Sequence, residues 1–191
     1  VKPNPIKFGT DGWRAVIDKD FTFENVRYCA QGVADYLKEI KLAGRGIVIG
    51  YDTRRNSEDF AAAAAEVLAG NNIKVYLAPS PTPTPVISYG VLAKKAAGAI
   101  IITASHNPPE WNGFKYKDEN GWSASDAVTS KIVDFISKSY DAGRVEQLSL
   151  AEAKKRDLVV VSDLDKEYFE QISKLVDVEG LRQAGLKVVI D

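Results

Sequence analysis

The chain contains one histidine, His106, and one cysteine, Cys29, among 191 residues. A single residue of each kind cannot assemble a nitrogen- or sulfur-ligated metal site, so any metal here is expected to be hard and oxygen-bound, such as Mg²⁺. A lone cysteine also excludes a disulfide framework. Charge of one sign is lacking: 25 Lys and Arg stand against 26 Asp and Glu. That balance leaves no basic stripe for nucleic acid and no acidic solvating tail. Long hydrophobic runs are lacking as well. GAIIITA (98–104) is among the longest, far short of the roughly 20 residues a membrane helix needs. The opening VKPNPIKFGT carries no apolar signal-peptide core. The expectations are no nucleic-acid partner, no membrane and a cytoplasmic location.

Three nucleotide and hydrolase signatures are also missing. Without GxxxxGK[ST] or a GxGxxG after a strand, Walker-type and dinucleotide binding are disfavoured. Without G-x-S-x-G, a serine-hydrolase elbow is disfavoured. A Ser-His-Asp triad on Ser105 and His106 is disfavoured too, because neighbours in an extended loop point apart and no second histidine can act as base.

What is present reads as an α/β chain. Hydrophobic residues make up 45% and charged residues 27%, an ordinary globular balance with length for one domain and part of another. Val26, Ala30, Val33, Leu37 and Ile40 fall on one helical stripe after a potential cap at Thr22. GRGIVIGYD (44–52) reads as a strand, Ser57 to Gly70 as an alanine-rich helix, and IKVYLAP (73–79) as a second strand. The proline-studded PSPTPTP reads as a stiff loop feeding a helix that ends at Lys94 or Lys95. AGAIIITA (97–104) looks like a central strand buried on both faces, and GFKYK like a short one. Val128, Ile132, Phe135, Ile136 and Tyr140 mark another amphipathic helix, and residues 164–176 a last one. The mixed, charged stretch 141–161 reads as a linker. GLKVVID at 185–191 reads as a strand with no partner after it, as in a chain cut at a domain boundary. The predicted architecture is a three-layer α/β/α domain with a mostly parallel central sheet over residues 1–150, then a linker and the start of a second α/β domain over 151–191.

Open α/β sheets bind ligands beyond the carboxyl ends of their strands. Three loops are candidates for that edge: FGTDGWRA (8–15), GYDTRRN (50–56) and TASHNPPEWNGFK (103–115). Arg14, Arg54, Arg55 and Lys115 would favour an anion there, phosphate first. Pro108 and Pro109 stiffen the third loop and restrict Asn107. On the residues alone, Ser105 is either a plain turn residue or a phosphoryl carrier. Its phosphate ester would bring close to two negative charges to a set of cations, the layout of a phosphoryl-transfer centre. His106 is a rival carrier or a supporting hydrogen-bond donor.

Four motifs, in order, resemble those of the α-D-phosphohexomutases: FGTDGWR (8–14), GYDTR (50–54), TASHNP (103–108) and NGFK (112–115). The resemblance implies a phosphoserine at Ser105 that exchanges its phosphate with a hexose 1- or 6-phosphate through a hexose 1,6-bisphosphate. It implies phosphate contact and acid–base assistance by Arg14 and Lys115, with His106 and Asn107 flanking the phosphoserine. Thr10, Asp11 and Arg54 fall in its phosphate- and substrate-binding motifs. It implies Mg²⁺ on the serine phosphate, with aspartate ligands in a D-G-D-x-D-R loop of a further domain that these residues do not contain. The chain is then expected to be the N-terminal part of such an enzyme, inactive alone and completed by the remaining domains of its own polypeptide. Trp13 and TASHNP tilt the expectation toward glucose or mannose phosphates. Phosphoglucosamine mutase and a non-catalytic sugar-phosphate binding domain are the alternatives.

Overall fold

The computed structural model describes residues 4–9 and 12–190. In chain order they form β1 (Trp13–Val16), α1 (Phe23–Glu39), β2 (Ile47–Tyr51), α2 (Ser57–Gly70), β3 (Val75–Leu77), α3 (Thr84–Lys94), β4 (Ala99–Ile102), β5 (Trp111–Lys117), α4 (Asp126–Ala142), α5 (Leu150–Lys155), β6 (Val159–Val161), α6 (Asp165–Leu175) and α7 (Val178–Gln183).

Local chemistry sets the helix ends. The Thr22 side chain accepts a hydrogen bond from the Asn25 backbone amide and caps α1. In α3, Pro83 stands at the cap and Pro85 in the first turn, where a missing N–H costs nothing. Buried alanines let α2 lie close to the sheet, with Phe60 and Leu68 as its large anchors.

The sheet has six strands in the order β1-β5-β4-β2-β3-β6. β4, β2, β3 and β6 run parallel, β5 pairs antiparallel with β4, and β1 pairs antiparallel with β5. Alternation along the central strands divides the interior into two apolar layers. Ile47, Ile49, Ile100, Ile102, Phe114 and Tyr116 face α1, α2 and α4. Val48, Ala99 and Ile101 face α3, together with Leu164 at the start of α6. Gly50 shows how tightly α3 sits: a Cβ there would lie 2.3 Å from Cδ1 of Ile87. The α/β/α architecture expected from the sequence is the one observed.

Three expectations change. Part of FGTDGWRA is strand rather than loop, because β1 pairs with β5 through Trp13↔Phe114 and Arg14↔Gly113. The stretch 141–161 is not a free linker. Its backbone is held by Glu66 and Gln31, α5 packs on α2, and β6 extends the sheet beside β3. The sheet therefore continues beyond residue 150. Residues 186–190 form no strand, since they meet no strand edge in this chain, and Val189 and Ile190 are over 90% exposed. Among the described residues no helix is long and apolar enough to cross a membrane.

Candidate active site

β2 and β4 end side by side, and the loops leaving them border a cleft of about 920 Å³. Its walls come from the loop after β2 (Asp52 to Arg55), the loop entering α3 (Thr82 to Thr84), and the loop after β4 with Ser105 and Asn107. This is the carboxyl edge of the parallel strands, where the sheet's topology leaves a crevice.

Ser105 stands at the tip of the β4–β5 loop with its side chain exposed. Its φ is +58°, in the left-handed region, which costs a non-glycine residue about 1 kcal/mol or more. Several bonds hold it there. The Ser105 amide donates to Oγ1 of buried Thr103 at 3.0 Å, and the Asn107 amide donates to the Ala104 carbonyl at 3.1 Å. The left-handed turn also overturns the expectation that Ser105 and His106 diverge. Ser105 Oγ lies 3.4 Å from His106 Nδ1, at the long limit of a hydrogen bond.

Arg14 reaches this loop from β1. It lies opposite Gly113, where an added Cβ would be 3.1 Å from Arg14 Cγ and 2.4 Å from the Thr103 carbonyl oxygen. Glycine at 113 thus leaves the passage through which Arg14 donates to Asn107 Oδ1 at 2.9 Å. Lys115 pairs with Ile101 and shares that sheet face, with 7% of its surface exposed. Cross-strand neighbours project to one side, so Arg14, Gly113, Lys115 and the cleft-lining Ile101 lie on the same face. Thr10 and Asp11 lie outside the described residues.

Arg54, expected among the phosphate contacts, is occupied differently. Its Nε pairs with Asp52 at 3.2 Å. Nη1 donates to the carbonyls of Pro108 (2.8 Å) and Trp111 (3.0 Å), and Nη2 to those of Ser105 (2.8 Å) and Asn107 (2.6 Å). A guanidinium has five N–H groups, and this set engages all of them. Arg55, on the cleft wall, pairs with Asp18 at 2.9 Å, both side chains more than half exposed.

Beneath Arg54 runs a polar chain that sequence reasoning missed. Ser57 Oγ donates to Asp52 Oδ1 (2.8 Å), and Asn112 Nδ2 donates to Ser57 Oγ (2.9 Å). Asn112 Oδ1 accepts from the Gly113 amide. Ser57 and Asn112 are essentially fully buried, and buried polar side chains are retained only where they are satisfied. Their sequence signal was ambiguous: a serine opening a helix reads as a cap, and an Asn-Gly pair as a turn.

The same residues offer little to a magnesium ion. Among the described residues no three His, Cys, Asp or Glu side chains gather to hold a metal. Of the two acidic side chains lining the cleft, Asp52 is bound to Arg54 and Ser57, leaving Glu110 alone. These residues do not by themselves fit the ion.

Comparison with known proteins agrees with the fold. Residues 5–142 match the family description Phosphoglucomutase/phosphomannomutase, alpha/beta/alpha domain I. A phosphoglucomutase of Komagataeibacter xylinus is 31% identical over the whole chain, which spans 37% of that relative. A phosphoglucosamine mutase of Caldicellulosiruptor bescii is 36% identical over 96% of the chain and 39% of its own length. A crystal structure from Thermus thermophilus, described as a phosphomannomutase, superposes with a TM-score of 0.77 at 34% identity, covering 93% of this chain and 37% of that one. The chain thus spans somewhat over a third of these relatives. The α/β/α architecture agrees with the match: the chain belongs to the phosphoglucomutase/phosphomannomutase family, of which it carries the α/β/α domain I.

Proposed function

We propose that the complete protein interconverts hexose 1-phosphate and hexose 6-phosphate, and that this chain supplies its phosphoryl carrier, Ser105. The observation that carries the proposal is the presentation of Ser105. Its hydroxyl stands exposed at the mouth of the cleft on a left-handed turn held by Thr103 and Arg54. In the first transfer the P–Oγ bond of phosphoserine breaks as a bond forms between phosphorus and a sugar hydroxyl oxygen; in the return transfer the other sugar P–O bond breaks as P–Oγ re-forms. In the first transfer the attacking sugar hydroxyl gives its proton to a base and Oγ takes one up as it leaves; on return Oγ gives that proton up and the departing sugar oxygen takes one. Arg14 stands to neutralise phosphate charge. Lys115, on the same face, is the acid–base candidate, and His106 Nδ1 is placed to exchange a hydrogen bond with Oγ.

A hexose 1,6-bisphosphate follows as the intermediate, because one phosphate is delivered before the other is taken back. Mg²⁺ would neutralise the serine phosphate. Since these residues do not fit the ion, its carboxylate ligands and the clamp for the distal phosphate are assigned to the rest of the polypeptide. The 191 residues alone should then bind but not turn over. The single, buried, unpaired cysteine suits a cytoplasmic enzyme of sugar-phosphate metabolism. Glucose and mannose phosphates are the proposed substrates. The glucosamine mutases among the relatives keep the amino sugar as the competing one.

Intact mass of the complete protein tests this. Wild type should carry one extra phosphoryl group that survives acid, as a serine ester does, and Ser105→Ala should lose both the group and the activity. A Ser105→Ala protein that still isomerises hexose phosphates, or a phosphate released by acid as from histidine, would refute it. A non-catalytic sugar-phosphate binding domain would bind substrate without ever carrying the group.

A further inference from the structure

We propose that Arg54 acts as a positioning residue for the phosphoryl carrier rather than as a ligand of the substrate phosphate. The inference rests on Ser105 being that carrier. One guanidinium gathers the carbonyl oxygens of Ser105, Asn107, Pro108 and Trp111, four acceptors within seven consecutive residues. A carbonyl dipole aimed at the cleft would repel a phosphate. Drawing these oxygens inward turns that repulsion away and directs the serine hydroxyl outward, with a fixed positive charge behind the loop. The clamp also fixes the left-handed backbone at Ser105, because the Ser105 carbonyl is one of its ends.

Arg54 is itself oriented. Asp52 takes its Nε through one oxygen and accepts from Ser57 and the Arg54 amide through the other. Ser57 in turn receives Asn112 from the strand that comes after the loop. The serine loop, through Ser105, Asn107 and Pro108, and β5, through Trp111 and Asn112, therefore join one network. Only 14% of the Arg54 side chain is exposed. Lysine cannot replace it, since an ammonium has three donors and no planar fork.

Steady-state kinetics of the complete protein, with phosphoserine content by mass, test the inference in Arg54→Lys and Asp52→Asn. Wild type must first show Ser105 phosphate and activity, and its failure to do so refutes the carrier itself rather than the role of Arg54. Given that, Arg54→Lys should lower kcat by roughly 10- to 100-fold, as a misplaced reacting group does, with KM for the hexose phosphate changed less than about threefold. Asp52→Asn keeps the four carbonyl bonds but sets an amide against Nε, and should lower kcat by less, with KM again steady. If Arg54→Lys fails to fold, Asp52→Asn decides by the same split. A raised KM at unchanged kcat would make Arg54 a substrate ligand and overturn the proposal, as would wild-type constants in both variants.

Discussion

Thr103 is the smallest part of the Ser105 loop that can be tested alone. Its hydroxyl accepts the Ser105 amide at 3.0 Å while the side chain itself is buried. Thr103→Val keeps the shape and removes the acceptor. Ser105 is exposed, so water can recover part of the lost bond, and the cost should be about 0.5–1 kcal/mol. The expected result is a lower denaturant midpoint at unchanged m value, together with slower phosphoryl transfer. Thr103→Ser should restore both, because it returns the oxygen. A valine variant equal to wild type in both measurements would show that the bond holds nothing. This bond also marks the limit of the sequence at this scale. Ser105, Arg14 and Lys115 were legible as chemistry-bearing residues near one edge. The left-handed turn was not, because glycine and asparagine advertise that conformation and serine does not. The same gap hid the approach of His106 to Ser105, and a motif cannot say that Arg54 faces inward.

At the scale of elements, periodicity served helices better than strands. Ser57 to Gly70 was readable to the residue because the helix propensity of its alanines acts locally. β1 and β6 were missed because strands of four and three residues carry too few alternations to register, and pairing alone makes them strands. α6 offers a pH test of how it is fastened. Lys94 of α3 donates to Glu167 of α6 at 2.6 Å. That hydrogen bond, followed by the bond to the Glu167 backbone, holds the carboxyl below its ordinary value of 4.5. A depressed carboxyl stabilises the fold above its unfolded pKa and loses that contribution as pH falls through the folded one. Both side chains are partly exposed, so the contribution should stay under about 1 kcal/mol. Glu167→Gln should therefore be slightly less stable than wild type at pH 7. The two should converge as pH falls below about 4.5 and the wild-type carboxyl protonates. Thermal unfolding across that window checks the sign, and a gap that widens in acid would contradict it.

At the scale of the whole molecule, the sequence placed a boundary near residue 150 where charge rises and apolar periodicity fades. The structure instead seats Ala153 and Val159 in the main apolar layer and pairs β6 with β3 through Val75↔Val159 and Leu77↔Val161. Composition does not reveal a short edge element because such an element needs only a few apolar residues: one side is covered and the other meets solvent. We propose that the folding unit runs at least through α6. A chain ended at residue 150 would lose α5 and β6 together. It would uncover one edge of β3 and remove Leu164 from Gly90, where a Cβ on the glycine would come within 2.9 Å of the leucine. An unpaired edge with its amides and carbonyls exposed is a template for pairing with other chains. The truncated protein should therefore unfold at lower denaturant and associate with rising concentration, while a chain ended after Leu175 should remain closer to the 191-residue protein in both respects. Sedimentation of the three lengths, with matched denaturation curves, distinguishes them. Equal behaviour at 150 and 175 would mean that β6 and α6 are appendages and that the boundary read from composition was sound. The Ser105 loop gives a second readout. It stands at the carboxyl ends of β2 and β4, and β3 separates β2 from β6 along the sheet. Loss of the outer strand should therefore weaken the sheet as a whole without changing which groups meet at Ser105.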